Sequence, residues 1–236
     1  MIKARINKII DMSVVDGPGN RTAIFFQGCN LDCFYCHNPE TIGQDRDKDL
    51  EKTLEDVLKR VKGNMPFIQG ITSSGGECTL QHKFLVELFK ETKKLGLTNF
   101  VDTNGYMNLK SLDELVSHTD QFMLDIKATS KQDHIRISGK SNENVLVNAK
   151  YLAGLGKLYE IRTVVIKGMN NMQTVDEITR LLSPYLDTEN IKYKIIKYRS
   201  IGVREEFSNY IAPDEEEMEK LKEIAIKNGF SQVIIV

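Results

Sequence analysis

No apolar run in the sequence approaches the ~20 residues that span a bilayer. The opening residues MIKARINKIIDMS also lack the apolar stretch and small-residue cleavage site of a secretory signal. A cytoplasmic protein is the expectation. Net charge is nearly absent, since 32 basic side chains stand against 33 acidic ones, so bulk electrostatics argue for neither a nucleic-acid nor a membrane partner. No low-complexity tract, convincing repeat or Pro/Gly/Ser-rich linker interrupts the chain. Its 236 residues suit one large α/β domain or two small ones. Cysteine is scarce as well. The four present are Cys29, Cys33, Cys36 and Cys78. Three of them crowd into one short segment, and in a reducing compartment metal or catalytic use is a better reading than disulfides.

What the chain does contain is alternation. A hydrophobic fraction of 41% supplies a sizeable core. Short apolar runs predict strands at 22–28, 67–73, 98–102, 121–126, 159–166 and 191–198, with a last run at 231–236. Helical spacing lies between them. Leu50, Leu54, Val57, Leu58 and Val61 share one face with Gly63 as a stop, and Phe84, Leu85, Leu88 and Phe89 share another. Ser111 with Glu114 and Asp214 with Glu217 have capping-box spacing. Pro213 precedes the second cap, and Gly229 closes a helix lined by Met218, Leu221 and Ile224. Such alternation predicts parallel β/α units with right-handed crossovers. Six units are too few for a closed eightfold barrel. The pattern fits both a partial barrel and an open doubly wound sheet, and in either the functional groups gather at the carboxyl ends of the strands.

The first strand runs straight into Gly28-Cys29-Asn30-Leu31-Asp32-Cys33-Phe34-Tyr35-Cys36-His37-Asn38-Pro39, a C-x3-C-x2-C spacing. Three thiolates on one loop can hold three irons of a cubane, whereas a fully protein-ligated [4Fe–4S] cluster takes four. The missing ligand leaves one iron open to a substrate, as catalytic zinc keeps a free position. The competing readings are structural zinc with His37 as fourth ligand, and a disulfide beside one free cysteine. Adjacent Cys36 and His37 chelate poorly together, which weighs against zinc.

That spacing resembles the cluster loop of the radical S-adenosylmethionine superfamily, and within it the glycyl-radical-enzyme activases, the pyruvate formate-lyase activating enzyme type. The segments that carry the resemblance are 15–29 (VDGPGNRTAIFFQGC), 35–41 (YCHNPET), 74–81 (SGGECTLQ), 102–106 (DTNGY), 123–128 (MLDIKA) and 161–170 (IRTVVIKGMN), spread over nearly the whole chain. The overall wording is similar to the branch known as the YjjW family. The resemblance implies a single domain over 1–236, a partial (β/α)6 barrel of parallel strands with its active site at their C-terminal ends. It also implies one [4Fe–4S] cluster on Cys29, Cys33 and Cys36. One electron from the cluster would cleave S-adenosylmethionine to methionine and a 5′-deoxyadenosyl radical that removes hydrogen from a partner glycine.

The same resemblance places Tyr35, Cys36, His37, Asn38, Gly75, Gly76, Glu77, Asp125, Ile126, Lys127, Arg162 and Arg199 at S-adenosylmethionine. It places Asp102, Thr103, Met123 and Asp125 around a Na⁺ or K⁺. Some of these have readings of their own. Gly75 and Gly76 end a strand and let backbone approach a ligand. Two carboxylates at one barrel mouth, Asp102 and Asp125, repel unless a cation or Lys intervenes. Arg162 sits in an apolar strand and needs an anionic partner.

Three departures from the family stand out. Lys197-Tyr198-Arg199 replaces a PYH-type segment, Cys78 stands where Pro or Ala is usual, and no cysteine occurs in 39–66, where other activases carry additional cluster ligands. One cluster is therefore expected. His82, His118 and His134 have no motif context. The implied partners are a glycyl-radical enzyme and a flavodoxin or ferredoxin as electron donor, with the chain a monomer. Two other functions compete: radical chemistry on a small molecule or nucleoside, and a zinc-dependent binding module.

Overall fold

The computed structural model describes residues 2–43 and 50–236. These form two compact units, the first made of Met1–Asn30, Glu40–Thr103 and Leu109–Phe122, the second of Leu31–Pro39, Asn104–Asn108 and Met123–Val236.

In the first unit, β1 (Lys3–Ser13) pairs antiparallel with β2 (Arg21–Phe26) and with the short β3 (Glu51–Thr53). β4 (Gly70–Gly75) and β5 (Thr98–Thr103) then continue from β2 in parallel. Helices α1 (Leu54–Gly63), α2 (His82–Lys94) and α3 (Asp113–His118) connect the strands. Their apolar stripes meet the sheet: Val57, Val61, Leu85, Leu88 and Phe89 are fully buried, as are Ile24, Phe26 and Ile71. Phe26 meets Phe84 edge-on, with centroids 6.1 Å apart, which locks β2 to α2.

In the second unit, β6 (Gln121–Asp125, of which Met123–Asp125 belong here) lies beside β7 (Leu158–Val165), followed by β8 (Lys192–Lys197) and β9 (Val233–Ile235). β7, β8 and β9 run parallel. Helices α4 (Lys131–Ser138), α5 (Glu143–Gly154), α6 (Asn171–Leu182) and α7 (Glu215–Lys227) link them. Tyr193 and Phe230 pack 5.7 Å apart in this core, and the Tyr193 hydroxyl shares a 3.0 Å hydrogen bond with Thr163.

All seven predicted strands are present, and the structure adds β1 and β3. Charged residues interrupt β1 at Lys3, Arg5, Lys8 and Asp11, which hides its alternation. α1 begins after Leu50, because Thr53 and Asp56 form a reciprocal capping box and stop the helix from extending backwards. The cap predicted at Ser111 is not formed. Ser111 closes a 3-10 turn, Leu112 precedes α3 without a side-chain cap, and Glu114 pairs with Lys90 at 2.9 Å. Asp214 does cap α7, accepting from the Glu217 amide at 2.9 Å, but the Glu217 carboxylate accepts from Asn171 instead of returning the bond.

Arg21, at the start of β2, is 1% exposed. Its guanidinium donates to the carbonyls of Ile71 and Thr98 and to the hydroxyls of Thr72 and Thr98, at 2.8–3.0 Å. It also lies 4.2 Å from the Phe100 ring centroid. One cation thereby ties together the first residues of β2, β4 and β5. Arg21→Ala should lower the unfolding free energy by about 3 kcal/mol, through lost bonds and a cavity. Urea titration monitored by circular dichroism checks this, and a loss under about 1 kcal/mol contradicts it.

Candidate active site

β2 ends at Phe26, and Gly28 turns the chain with φ +98°. The Gly28 and Cys29 amides donate to the carbonyls of Thr41 and Ile42, at 2.9 and 3.2 Å, which fixes where the first cysteine leaves the strand. Gly75 and Gly76 end β4 close by. A Cβ on Gly75 would lie 2.2 Å from the Phe26 nitrogen, and one on Gly76 would lie 2.3 Å from the Gly28 carbonyl oxygen. These glycines are therefore needed for approach of protein backbone, independently of any ligand.

The Glu77 side chain is 1% exposed. Its Oε1 accepts from the Thr79 amide and hydroxyl and from the Thr103 hydroxyl, at 2.6–3.1 Å. Asp102 accepts from the Ser74 hydroxyl at 3.1 Å. Cys78 is fully buried, and its thiol donates to the Ser73 and Asp102 carbonyls at 3.3 and 3.5 Å. Burial, reinforced by Glu77 and Asp102, pushes that thiol well above its ordinary pKa.

The second unit holds the rest of the cysteine loop. Cys33 is buried and Cys36 half-buried, and none of the four cysteines is in a disulfide. The Cys36 amide donates to the Cys33 carbonyl at 3.1 Å, closing the two-residue spacer into a turn. α4 supports this loop from its C-terminal end. The Asp32 and Phe34 amides donate to the Ser138 and Ile137 carbonyls, both at 3.0 Å. Those carbonyls belong to the last helical turn, where acceptors have no partner within the helix, and Gly139 ends the helix in the left-handed conformation.

The segment after β8 lies over the same loop. His37 Nε2 is 3.0 Å from the Arg199 carbonyl. Arg204 pairs with Asp32 at 2.8 Å, and Phe34 stacks on Tyr210 with centroids 4.5 Å apart. The contact ties His37 to the segment after β8 through Nε2. Of this segment the sequence reading reached only Arg199. Arg204, Phe207 and Tyr210 belong to no motif. Gly139, a helix-stop signal, was the one local hint to the α4 brace.

The charged residues expected at the cofactor have protein partners. Lys127 is buried and pairs with Asp125 at 3.2 Å, and its Nζ lies 5.6 Å from the Tyr35 ring centroid. Burial works against its charge, but Cys33, Tyr35 and Asp125 together overcome that and hold the ammonium well above its ordinary range. Burial pushes the Cys33 thiol up, with the Lys127 charge opposing. The anion that Arg162 needed is Glu160, 2.6 Å away and shared with Lys194 at 3.2 Å. Arg162 also reaches the Met123 sulfur at 3.0 Å. Ile126 is buried, and its amide donates to the Arg162 carbonyl at 2.8 Å. Asn38 and Arg199 are exposed.

The donor chemistry fits an iron–sulfur cluster, since three cysteines outside any disulfide sit on a loop anchored through the Cys29, Asp32, Phe34 and Cys36 amides. The Tyr35 hydroxyl, buried without a hydrogen-bond partner, is a polar group of the kind a polar cofactor satisfies.

The Radical SAM superfamily model matches residues 23–182. A Haemophilus influenzae protein provisionally named a glycyl-radical enzyme activating enzyme is 34% identical, covering 98% of this chain and 96% of the relative. The pyruvate formate-lyase-activating enzyme of Staphylococcus epidermidis is 32% identical, covering 99% of this chain and 96% of the relative. Among solved structures, Streptococcus suis SuiB bound to its precursor peptide SuiA matches with a TM-score of 0.68 at 17% identity, covering 89% of this chain and 47% of that one. This last likeness carries the fold alone: α/β, with a mostly parallel, unclosed sheet of the partial-barrel kind.

The brace on the cysteine loop should depend on pH. His134 in α4 is fully buried, with Nδ1 2.7 Å from the Lys140 carbonyl and 3.0 Å from the Ser138 hydroxyl. Burial holds its pKa below the ordinary value, against the pull of the Lys140 carbonyl and with help from the Lys127 charge. The unfolded chain therefore binds this proton more readily. Its stability contribution is complete above about pH 6.5 and is lost as the pH falls below that. Urea midpoints should drop from about pH 6.5 to pH 5, and His134→Gln should flatten that slope. An unchanged slope in the variant contradicts the assignment.

Proposed function

Because the chain belongs to the radical SAM superfamily, we propose that it is the activating enzyme of a glycyl-radical enzyme. The observation that carries the reading is the C-x3-C-x2-C spacing on a loop anchored by backbone bonds, with none of its cysteines in a disulfide. Cys29, Cys33 and Cys36 would hold one [4Fe–4S] cluster, leaving one iron for the amino and carboxylate groups of S-adenosylmethionine. When bound, the cluster would supply the electron for reductive cleavage of S-adenosylmethionine, the chemistry by which hydrogen would be abstracted from a partner glycine.

The chain's own residues bind and position. Tyr35 offers a buried hydroxyl without a partner. Lys127 offers a cation buried beside Tyr35, the residue preceding Cys36, and suits a cofactor carboxylate. Arg162 is a second cation of that kind, already oriented by Glu160. His37, Asn38, Gly75, Gly76, Glu77, Asp125, Ile126 and Arg199 complete the proposed surface for S-adenosylmethionine. For Glu77 the backbone is the proposed contact, because its carboxylate is committed to Thr79 and Thr103.

A Na⁺ or K⁺ at Asp102, Thr103, Met123 and Asp125 is the finer part of the reading. Weighing on it is that each group already has a protein partner: Ser74, Glu77, Arg162 and Lys127 in turn. The two units are proposed to make up one radical SAM domain, since the family match runs across both. A flavodoxin or ferredoxin as electron donor, a monomeric state and a cytoplasmic location complete the proposal. No helix among the described residues is long and apolar enough to cross a membrane.

Anaerobic reconstitution should yield about four irons per chain and a brown chromophore near ~400 nm. Replacing any one of Cys29, Cys33 or Cys36 by Ala should cost most of that iron. A colourless protein with one zinc contradicts the reading. With a partner deuterated at glycine, the label should appear in 5′-deoxyadenosine. Its absence with every glycyl-radical enzyme tried would point to a small-molecule substrate instead.

A further inference from the structure

We propose that Arg204 is a positioning residue for the cysteine loop, and that the Arg204–Asp32 pair sets the charge balance at the cluster. This rests on the cluster reading above. Three contacts converge on one guanidinium. Nη2 is 2.8 Å from the Asp32 carboxylate and 3.3 Å from the Cys33 carbonyl. The guanidinium carbon lies 4.9 Å from the Phe207 ring centroid.

The Cys33 carbonyl is the acceptor that also receives the Cys36 amide. Arg204 therefore bonds the oxygen that closes the Cys33–Cys36 turn, and with it the spacing between two proposed ligands. Phe207 continues the contact, with its ring 5.8 Å from Phe34 and its carbonyl accepting from the Tyr198 hydroxyl at 3.0 Å. Close to the same turn, Gly202 leaves no room for a side chain: a Cβ there would lie 2.6 Å from the His37 carbonyl oxygen, and φ is +84°. The Arg204 Nε–H is buried without a partner. That unmet donor is a cost, so the placement is held by the other contacts.

Charge and geometry make separable demands. Lysine can supply the charge but cannot bond Asp32 and the Cys33 carbonyl in one planar fork. A positive charge near the cluster favours its reduced, more negative state, and a negative charge opposes it.

The test uses reconstituted protein and three variants, Arg204→Gln, Arg204→Lys and Asp32→Asn. Cluster loss to a chelator is followed by absorbance, and the midpoint potential by redox titration. Removing a partner that orients a metal ligand typically costs about tenfold or more in retention. Arg204→Gln should therefore lose its cluster roughly tenfold faster, with Arg204→Lys faster than wild type but slower than Gln. The potentials should separate in sign. Arg204→Gln moves more negative, Asp32→Asn more positive, and Arg204→Lys stays near wild type. Simple loosening of the loop moves Gln and Asn the same way, and that result overturns the proposal.

So do wild-type rates and potentials in well-folded Gln and Asn variants. Should Arg204→Gln fail to fold, Asp32→Asn decides the matter alone, because the Asp32 side chain is 63% exposed. A positive shift there supports the proposal, and no shift or a negative one overturns it. Wild type without a cluster overturns the cluster reading together with this one. Wild type with a cluster and indifferent variants overturn only this one.

Discussion

The cysteine loop has no regular structure of its own, yet its backbone must be satisfied before its sulfurs can be held still. Buried amides without partners are rarely tolerated. The second unit meets this demand with the C-terminal end of α4, whose last carbonyls have no helical acceptor role left. Asp32 and Phe34 donate there, and Cys36 donates back to Cys33. The arrangement removes two unmet needs at once, the helix end's and the loop's.

In the second unit two buried charges, Glu160 and Lys127, are paired. Glu160, 5% exposed at its side chain, serves both Arg162 and Lys194. Lys127 has Asp125. Removing one partner from such a group is far more damaging than replacing the whole set by apolar residues. Cations kept in place this way have their rotamers fixed by protein partners. Arg21 follows a different logic in the first unit, where carbonyls, hydroxyls and an aromatic face receive it. It stitches strands together and has no place in the proposed chemistry.

What could be read from the sequence divides along the same line. The strands at 98–102 and 159–166 were visible because apolar runs and strand ends are local facts. The cysteine spacing was visible for the same reason. β1 was obscured by its interleaved charges, and the absent cap at Ser111 shows local spacing overruled by a 3-10 turn. Arg162 is the instructive intermediate case. Its need for an anion followed from its apolar strand, but the partner turned out to be Glu160, two residues away and on the same face of the strand. Arg204 was beyond reach, since nothing near it in sequence indicates that it meets Asp32 and the Cys33 carbonyl.

Cys78 bears on how many ligands the cluster has. A fourth thiolate would fill the coordination site on which the proposed chemistry depends. The Cys78 thiol, however, donates to two carbonyls and is surrounded by acidic and apolar neighbours that penalise its ionisation. A thiol binds iron as the thiolate, and a thiolate at this position would face the Ser73 and Asp102 carbonyls as a like-charged neighbour with no proton to offer them. Cys78 is thus better suited to being a hydrogen-bond donor under β4 than a ligand. The proposed count stays at three thiolates, and the open iron follows from it.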